Sequence, residues 1–327
     1  MNPLVRRRPV RGLAAAAGLV ALALTTGCLS DDATEVEGGS LAEGVSLEGA
    51  SLTVGSKEFT EQLILCHITS LALRSAGAEV TEQCGLQGSN ATRAALTSGD
   101  IDVYWEYTGT AWINFLQHTD PINDAEELYQ ATAEEDLAKN QIRWLDPAPA
   151  NNTYAVIVKR TTAEELGVET LSDYANLVNT DPANGSFCTG NEFASRNDGL
   201  PGLQEAYGFE IPRAHLATLA DGAIYNAVAN NNPCNFGMAA ATDGRIRALD
   251  LITLDDDKQF FPVYNPAPTI RNEVYEAHPD IAQILNTIAA ALTDEALQEL
   301  NGRVDIDGEE PVDVAEDWLK SQGFIGG

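Results

Sequence analysis

Basic residues are scarce in this sequence. Its 327 residues contain 19 lysines and arginines against 49 aspartates and glutamates, so the formal net charge is −30. Four of the arginines lie within residues 1–27, which hold no acidic residue, and the rest of the chain is therefore more acidic still. Proteins that bind nucleic acid need basic side chains to neutralise phosphates, so this balance argues against such a partner. We interpret the acidic surface first as a means of keeping the protein soluble.

Signatures of catalysis are also lacking. The sequence has no Gly-x-Ser-x-Gly elbow, no His-Glu-x-x-His, no Walker A loop and no Gly-x-Gly-x-x-Gly. Its histidines do not share the spacing of metal ligands, and there is no Cys-x-x-Cys; the four are His67, His118, His215 and His278. The sequence therefore predicts no catalytic residue, no metal site and no cofactor.

Long hydrophobic runs are absent beyond the N-terminus, and no later segment approaches the length of a membrane-spanning helix. At the N-terminus, four arginines precede or border an Ala/Leu-rich run at 13–24, which ends in the small residues before Cys28. This order predicts an export signal in residues 1–27, with Cys28 as the lipidated first residue of the mature protein. Thr25 stands where lipoprotein signals usually carry leucine, so cleavage by the general signal peptidase is the alternative.

Residues 28–50 contain no aromatic residue and are rich in Asp, Glu, Gly and Ser. Such a segment cannot bury enough apolar surface to fold, so it is predicted to be a flexible acidic tether. Together with the export signal, it indicates an extracytoplasmic lipoprotein held at the outer face of the cytoplasmic membrane.

Four cysteines remain besides Cys28, and an even number outside the cytoplasm favours two disulfides. Three pairings are possible. Joining Cys66 to Cys84 and Cys188 to Cys234 is the pairing that keeps each bridge local in the sequence. Buried free thiols are the alternative.

From Ser51 onward, strand and helix patterns alternate, which predicts an α/β fold with mostly parallel sheets. Extended segments near 154 and at 255–264 give two places where the chain could cross between lobes. We therefore predict lobe I from residues 51–153 and 256–327, and lobe II from residues 154–255. Two crossovers form a hinge, and the cleft between the lobes is expected to close on a ligand.

The stretch from Asp100 to Trp112 contains a short strand that ends in aromatic residues, followed by the turn Thr108-Gly-Thr110. Aromatic rings beside a turn rich in hydrogen-bond donors suit a ligand that is cationic at one end and anionic at the other. The alternative is a buried strand that simply enters a helix.

Three motifs in order resemble one family: Gly55 to Gln62 (GSKEFTEQ), Gly99 to Thr110, and Tyr264 to Pro268 (YNPAP). The family is the glycine betaine/choline-type substrate-binding proteins of osmoprotectant ABC importers, and the likeness covers about residues 51–325. It implies a two-lobe fold of the periplasmic-binding-protein type (type II) with two crossover strands as the hinge. It also implies a small quaternary ammonium ligand, glycine betaine first, and an ABC permease with its ATPase subunits as partners.

Carried over by position, the resemblance implies a tyrosine cage and a grip for a carboxylate. The cage consists of Tyr107, Tyr154, Tyr225 and Tyr264, and the grip consists of Lys57, Thr110 and Arg196. A trimethylammonium group has no N–H to donate, but ring faces and dispersion recognise it. The two cations favour a zwitterion such as glycine betaine over choline. Choline, carnitine, ectoine or an amino acid are alternative ligands of the same fold, and an exported enzyme or a sensing domain is the alternative class.

Overall fold

The structure, a computed structural model, describes residues 36–118 and 122–326. The predicted export signal and Cys28 lie outside these residues. Within the described ranges, no helix combines the length and the apolar character needed to cross a bilayer. The chain forms two five-stranded sheets, each with its own helices and its own hydrophobic core.

The strands are β1 (Ser51–Lys57), β2 (Glu79–Leu86), β3 (Val103–Tyr107), β4 (Ile142–Trp144), β5 (Tyr154–Lys159), β6 (Phe187–Thr189), β7 (Leu216–Thr218), β8 (Phe236–Ala240), β9 (Leu251–Thr253) and β10 (Pro266–Arg271). The helices are α1 (Thr60–Ser75), α2 (Ser89–Ser98), α3 (Thr108–Thr110), α4 (Ala125–Asn140), α5 (Arg160–Leu166), α6 (Leu171–Thr180), α7 (Leu200–Tyr207), α8 (Asp221–Ala229), α9 (Arg245–Ala248), α10 (Asn272–Ala277), α11 (Ile281–Ala291), α12 (Asp294–Asp305) and α13 (Pro311–Ser321). A π-helical turn, Ala111–Phe115, continues α3.

The first sheet has the strand order β2-β1-β3-β10-β4, and the second has the order β7-β6-β8-β5-β9. In each sheet four strands run in one direction and one strand runs against them: β10 is antiparallel to β3 and β4, and β5 is antiparallel to β8 and β9. The sheets are therefore mostly parallel, as expected, but each has one reversed strand that the sequence pattern did not indicate. The physical reason is the double crossing, because a strand that enters a sheet from the other lobe starts at the edge where the neighbouring strands end.

The two crossing segments, 145–153 and 254–265, lie side by side. The backbone N–H of Asn152 donates to the carbonyl of Tyr264 at 3.1 Å, and the Thr153 hydroxyl donates to the carbonyl of Pro262 at 3.0 Å. The strand that begins at Tyr154 is β5, which pairs with β8 and β9 in the second sheet. Its central residues are buried in the core of that sheet. The lobe boundaries given above stay a prediction.

Two disulfides join Cys66 to Cys84 and Cys188 to Cys234. The local pairing is the one observed. The first bridge ties α1 to β2, and the second ties β6 to the turn before β8. Each bridge lies within one sheet and its helices, so neither restrains the crossing segments.

We expect replacement of both Cys188 and Cys234 by alanine to lower the free energy of unfolding by about 2–4 kcal/mol, because the unfolded chain regains the freedom of the closed loop. The two cysteines are 46 residues apart. Urea denaturation without reductant measures the loss. An unchanged midpoint would show that this bridge contributes nothing to stability.

Candidate functional site

A cavity of about 660 Å³ lies between the two sheets. Its volume is in the range that small-molecule sites occupy, roughly 300–1,000 Å³. The structure brings all the side chains of the predicted site to its walls: Lys57, Tyr107, Thr110, Tyr154, Arg196, Tyr225 and Tyr264. Their individual roles toward a ligand stay predictions.

Strand ends and crossings place these residues. Lys57 is the last residue of β1, and Tyr107 is the last residue of β3, so both lie at the carboxyl edge of the first sheet. Tyr154 is the first residue of β5, and Tyr264 lies in the second crossing just before β10. The pairing of β3 with β10 sets Pro266 opposite Tyr107, which brings the second crossing to the same edge.

The tyrosine rings are held by ring contacts and by their hydroxyls. The rings of Tyr154 and Tyr264 meet edge to face with 5.4 Å between centroids, and Phe193 packs on Tyr154 at 4.9 Å. The Tyr264 hydroxyl donates to Asp198 at 2.6 Å, and the Tyr107 hydroxyl donates to Glu61 at 2.7 Å. Since each of these phenols has a protein partner, the rings keep fixed orientations at the cavity wall.

Tyr225 reaches the cavity from α8 in the second lobe. Its hydroxyl accepts a hydrogen bond from the backbone N–H of Ala240 at 3.1 Å. The guanidinium of Arg245 lies over the ring, 4.3 Å from its centroid. One face of this ring thus already stabilises a cation of the protein. Two other rings of the predicted cage do the same: Lys57 Nζ lies 5.1 Å from the centroid of Tyr107, and the Arg196 guanidinium lies 5.5 Å from the centroid of Tyr154.

The segment Thr108-Gly-Thr110, predicted as a turn, is the helix α3, and the buried strand β3 leads directly into it. Gly109 in α3 permits a close approach of the second crossing. A Cβ atom at this position would lie 2.7 Å from the carbonyl oxygen of Val263 and 2.9 Å from the Tyr264 ring. Only glycine leaves room for that ring beside the helix.

The two cations of the predicted carboxylate grip are paired with carboxylates of the protein. Lys57 Nζ lies 2.6 Å from Glu106 Oε1, and both side chains are buried. Arg196 makes a two-point contact with Asp198, and its Nη1 donates to Glu192 at 2.7 Å. A ligand carboxylate would have to share or displace these partners. The two cations therefore do not by themselves select a zwitterion over choline.

The site lies within a segment that matches a known family. Residues 50–321 match the OpuAC family, the substrate binding domain of the ABC-type glycine betaine transport system. The chain belongs to this family. The glycine-betaine-binding protein of Pseudomonas aeruginosa is 39% identical over 283 residues, 85% of this chain and 90% of that relative. The glycine betaine-binding protein YehZ of Escherichia coli is 35% identical over 291 residues, 86% of this chain and 94% of that relative.

Solved structures of the same kind share the fold. Apo YehZ from Escherichia coli aligns with a TM-score of 0.63 at 33% identity, over 84% of this chain and 100% of that chain. A glycine betaine/carnitine/choline ABC transporter structure aligns with a TM-score of 0.68 at 28% identity, over 84% of this chain and 99% of that chain. They confirm the predicted two-lobe α/β fold of an OpuAC-family protein.

Acidic side chains outnumber basic ones at the cavity of this OpuAC-family chain. Among the described residues, six acids line it with three bases; the acids are Glu58, Glu61, Glu192, Asp221, Asp243 and Asp305, and the bases are Lys57, Arg196 and Arg245. Such an excess attracts cations and repels anions. Sequence reasoning missed these acids, as it missed Phe193, because single acids carry little information in so acidic a chain. Glu61 had one signal, its place in the GSKEFTEQ motif.

Asp221, the first residue of α8, has an unusual environment. Asp221 lines the cavity and is exposed as a whole residue. Even so, loss of water around its carboxyl group raises the pKa of that group to about 6, and repulsion from Glu192 and Glu58 adds to the rise. Arg245 opposes these effects. The folded protein therefore holds a proton at Asp221 at pH values where the unfolded chain, with an ordinary pKa of about 4, has released it.

We expect Asp221→Asn to stabilise the protein at pH 7.5 and to leave its stability unchanged near pH 3. The wild-type carboxylate loses stability as pH rises from about 4 to 6, because the charged form is disfavoured only in the folded state. Thermal melting of both proteins at the two pH values measures the difference. Equal melting temperatures at pH 7.5 would contradict the raised pKa.

Proposed function

We propose that this chain is the substrate-binding protein of an ABC importer and that it captures a quaternary ammonium compatible solute, with glycine betaine as the first candidate. One observation carries the proposal: the four tyrosines of the predicted cage line a single cavity that also holds an excess of acidic side chains. An aromatic and acidic cavity suits a cation that cannot donate a hydrogen bond.

The chemistry of a trimethylammonium group fits these walls. Its methyl groups spread the positive charge over a sphere that presents no N–H. Ring faces attract such a charge by about 0.5–2 kcal/mol each, and the methyl groups add dispersion contacts with the same rings. Tyr107, Tyr154 and Tyr264 are held in place by the contacts described above, so little ordering is needed on binding.

Two observations favour glycine betaine as the ligand. Relatives at 35% and 39% identity carry glycine betaine-binding names. Thr110, Lys57 and Arg196 also line the cavity, and they offer a hydroxyl and two cations to a ligand carboxylate. Arg196 donates to the Thr110 hydroxyl at 3.3 Å, so the two lie close enough to hold one carboxylate.

Choline is the second candidate, and the ion pairs favour it. Lys57 and Arg196 are neutralised by Glu106, Asp198 and Glu192. A cavity with this charge balance does not require a negative group on the ligand. Carnitine, which is a zwitterion like glycine betaine, would instead have to share Lys57 or Arg196 with these carboxylates.

The two-lobe arrangement supports capture by closure. Each lobe supplies part of the cavity wall, so affinity and closure are coupled. In the proposed cycle, the closed protein is recognised by an ABC permease whose ATPase subunits drive uptake. Lipidation of Cys28 would keep the protein extracytoplasmic, at the outer face of the cytoplasmic membrane. The predicted flexible tether does not extend to residue 50, because Leu41, Val45 and Leu47 are buried in the core of the first sheet.

Calorimetric titration with glycine betaine, choline, carnitine, ectoine and proline tests the ligand class. We expect heat of binding with the quaternary ammonium compounds and none with ectoine or proline, because only the former present a methylated cation. The ratio of the glycine betaine and choline affinities then decides between the two candidates. No binding of any quaternary amine would overturn the proposed function.

We expect Tyr107→Ala to weaken binding of glycine betaine by about 1–3 kcal/mol, since the ring is proposed to cover the cation. The same titration measures the loss. Tyr275→Ala is a matched control, because the Tyr275 ring packs on Arg143 outside the cavity and its loss is expected to leave the affinity unchanged. Equal effects of the two variants would contradict a specific role for Tyr107.

A further inference from the structure

Glu61 is a buried carboxylate at the wall of the cavity. It lies in the first turn of α1 and is 2% exposed. Its two oxygens accept from four neutral groups: the Tyr107 hydroxyl at 2.7 Å, Asn152 Nδ2 at 2.9 Å, the Thr242 hydroxyl at 2.6 Å and Asn301 Nδ2 at 3.1 Å. Four donors suit the charged form, which has acceptor sites for all of them.

The cations that line the cavity are all engaged elsewhere. Among the described residues, Lys57 is paired with Glu106, and Arg196 is paired with Glu192 and Asp198. Arg245 is paired with Asp243 and Asp305. Glu61 therefore has hydrogen bonds but no opposite charge, an arrangement that costs free energy in a buried place. In agreement, burial raises the pKa of Glu61 despite its hydrogen bonds.

The four donors of Glu61 come from separate parts of the fold. Tyr107 ends β3 in the first lobe, and Asn301 lies in α12. Asn152 lies in the first crossing, and Thr242 follows β8 in the second lobe. The carboxylate is thus fixed where both lobes and the crossing meet, and it accepts a hydrogen bond from one phenol of the proposed cage.

Tyr107 connects this charge to the cavity. A phenol that donates to a carboxylate makes a strong, charge-assisted hydrogen bond. The hydrogen bond shifts electron density toward the ring, and a richer ring face attracts a cation more strongly. Lys57 Nζ already lies over this ring, 5.1 Å from its centroid, but its charge is matched by Glu106. A ligand cation beside the ring would therefore be the opposite charge that Glu61 lacks.

We infer that Glu61 is a specificity-determining residue, which selects ligands with a permanent positive charge by acting through the Tyr107 ring. The inference rests on the proposed function. It adds the residue that makes the cage bind a charged ligand more tightly than a neutral ligand of the same shape. A purely structural Glu61, which only holds its four donors together, would stabilise the site for charged and uncharged ligands alike.

Two probes of the same shape separate these roles: choline and its neutral tert-butyl analogue, in which carbon replaces the quaternary nitrogen. In the Glu61→Gln variant we expect the choline affinity to fall by about tenfold or more, because a buried charge is lost near the cation. The affinity for the neutral analogue is expected to stay within about threefold of the wild-type value, since the analogue has no charge for Glu61 to attract. Calorimetry measures choline, and ligand-detected NMR measures the weaker analogue.

Glu79→Gln is the matched control, because Glu79 is exposed at the start of β2 and its loss changes the net charge by the same amount. We expect this control to bind both probes as the wild type does. Equal losses for choline and the analogue in Glu61→Gln, or an unchanged choline affinity, would overturn the inference.

A second variant keeps the test open if Glu61→Gln does not fold. Tyr107→Phe keeps the ring and removes the hydroxyl that donates to Glu61, so it is expected to weaken choline binding more than binding of the analogue. Equal changes for the two probes would overturn the inference. If the unmodified protein binds neither choline nor glycine betaine, the proposed function fails as well; if it binds them and only the variants disagree, the inference alone fails.

Discussion

The double passage of the chain between its two sheets is the constraint on which the rest of this structure depends. The crossings at 145–153 and 254–265 are joined by hydrogen bonds, and each delivers a tyrosine to the cavity. The antiparallel pairing of β10 with β3 sets the end of the second crossing against α3, which follows Tyr107. Gly109 then allows the Tyr264 ring to pack against this helix. The cage is thus a consequence of topology, since no single segment contains two of its rings.

Charge is arranged around this cavity in three ways. Lys57 and Arg196 form ion pairs with buried carboxylates, so their positive charges are already neutralised within the protein. Arg245 covers one face of Tyr225 and reaches Asp305 on the other lobe at 3.3 Å. Glu61 has only neutral donors. The balance leaves the cavity electronegative, which suits a cation whose charge is permanent.

Contacts between the lobes use the same residues as the cavity wall. Arg196 donates to Thr110 across the cleft, and the Thr242 hydroxyl donates to Glu61. The backbone N–H of Ser89 donates to Glu192 at 3.3 Å. Each of these contacts joins residues of the two lobes at the cavity, so the wall of the site and the interface between the lobes consist of the same side chains.

The sequence by itself indicated the α/β alternation and favoured the local disulfide pairing, and three short motifs carried the resemblance to the family. The seven residues that the cavity brings together came from that resemblance, because position within a motif is recorded in the sequence even where the contacts are not. The tertiary structure alone decided the reversed direction of β5 and β10, the burial of Glu61 and the pairing of Arg196 with Asp198. Strand direction depends on where the chain re-enters each sheet, and the state of a charge depends on which groups surround it. Both are set by contacts between segments far apart in the chain, and no local pattern records them.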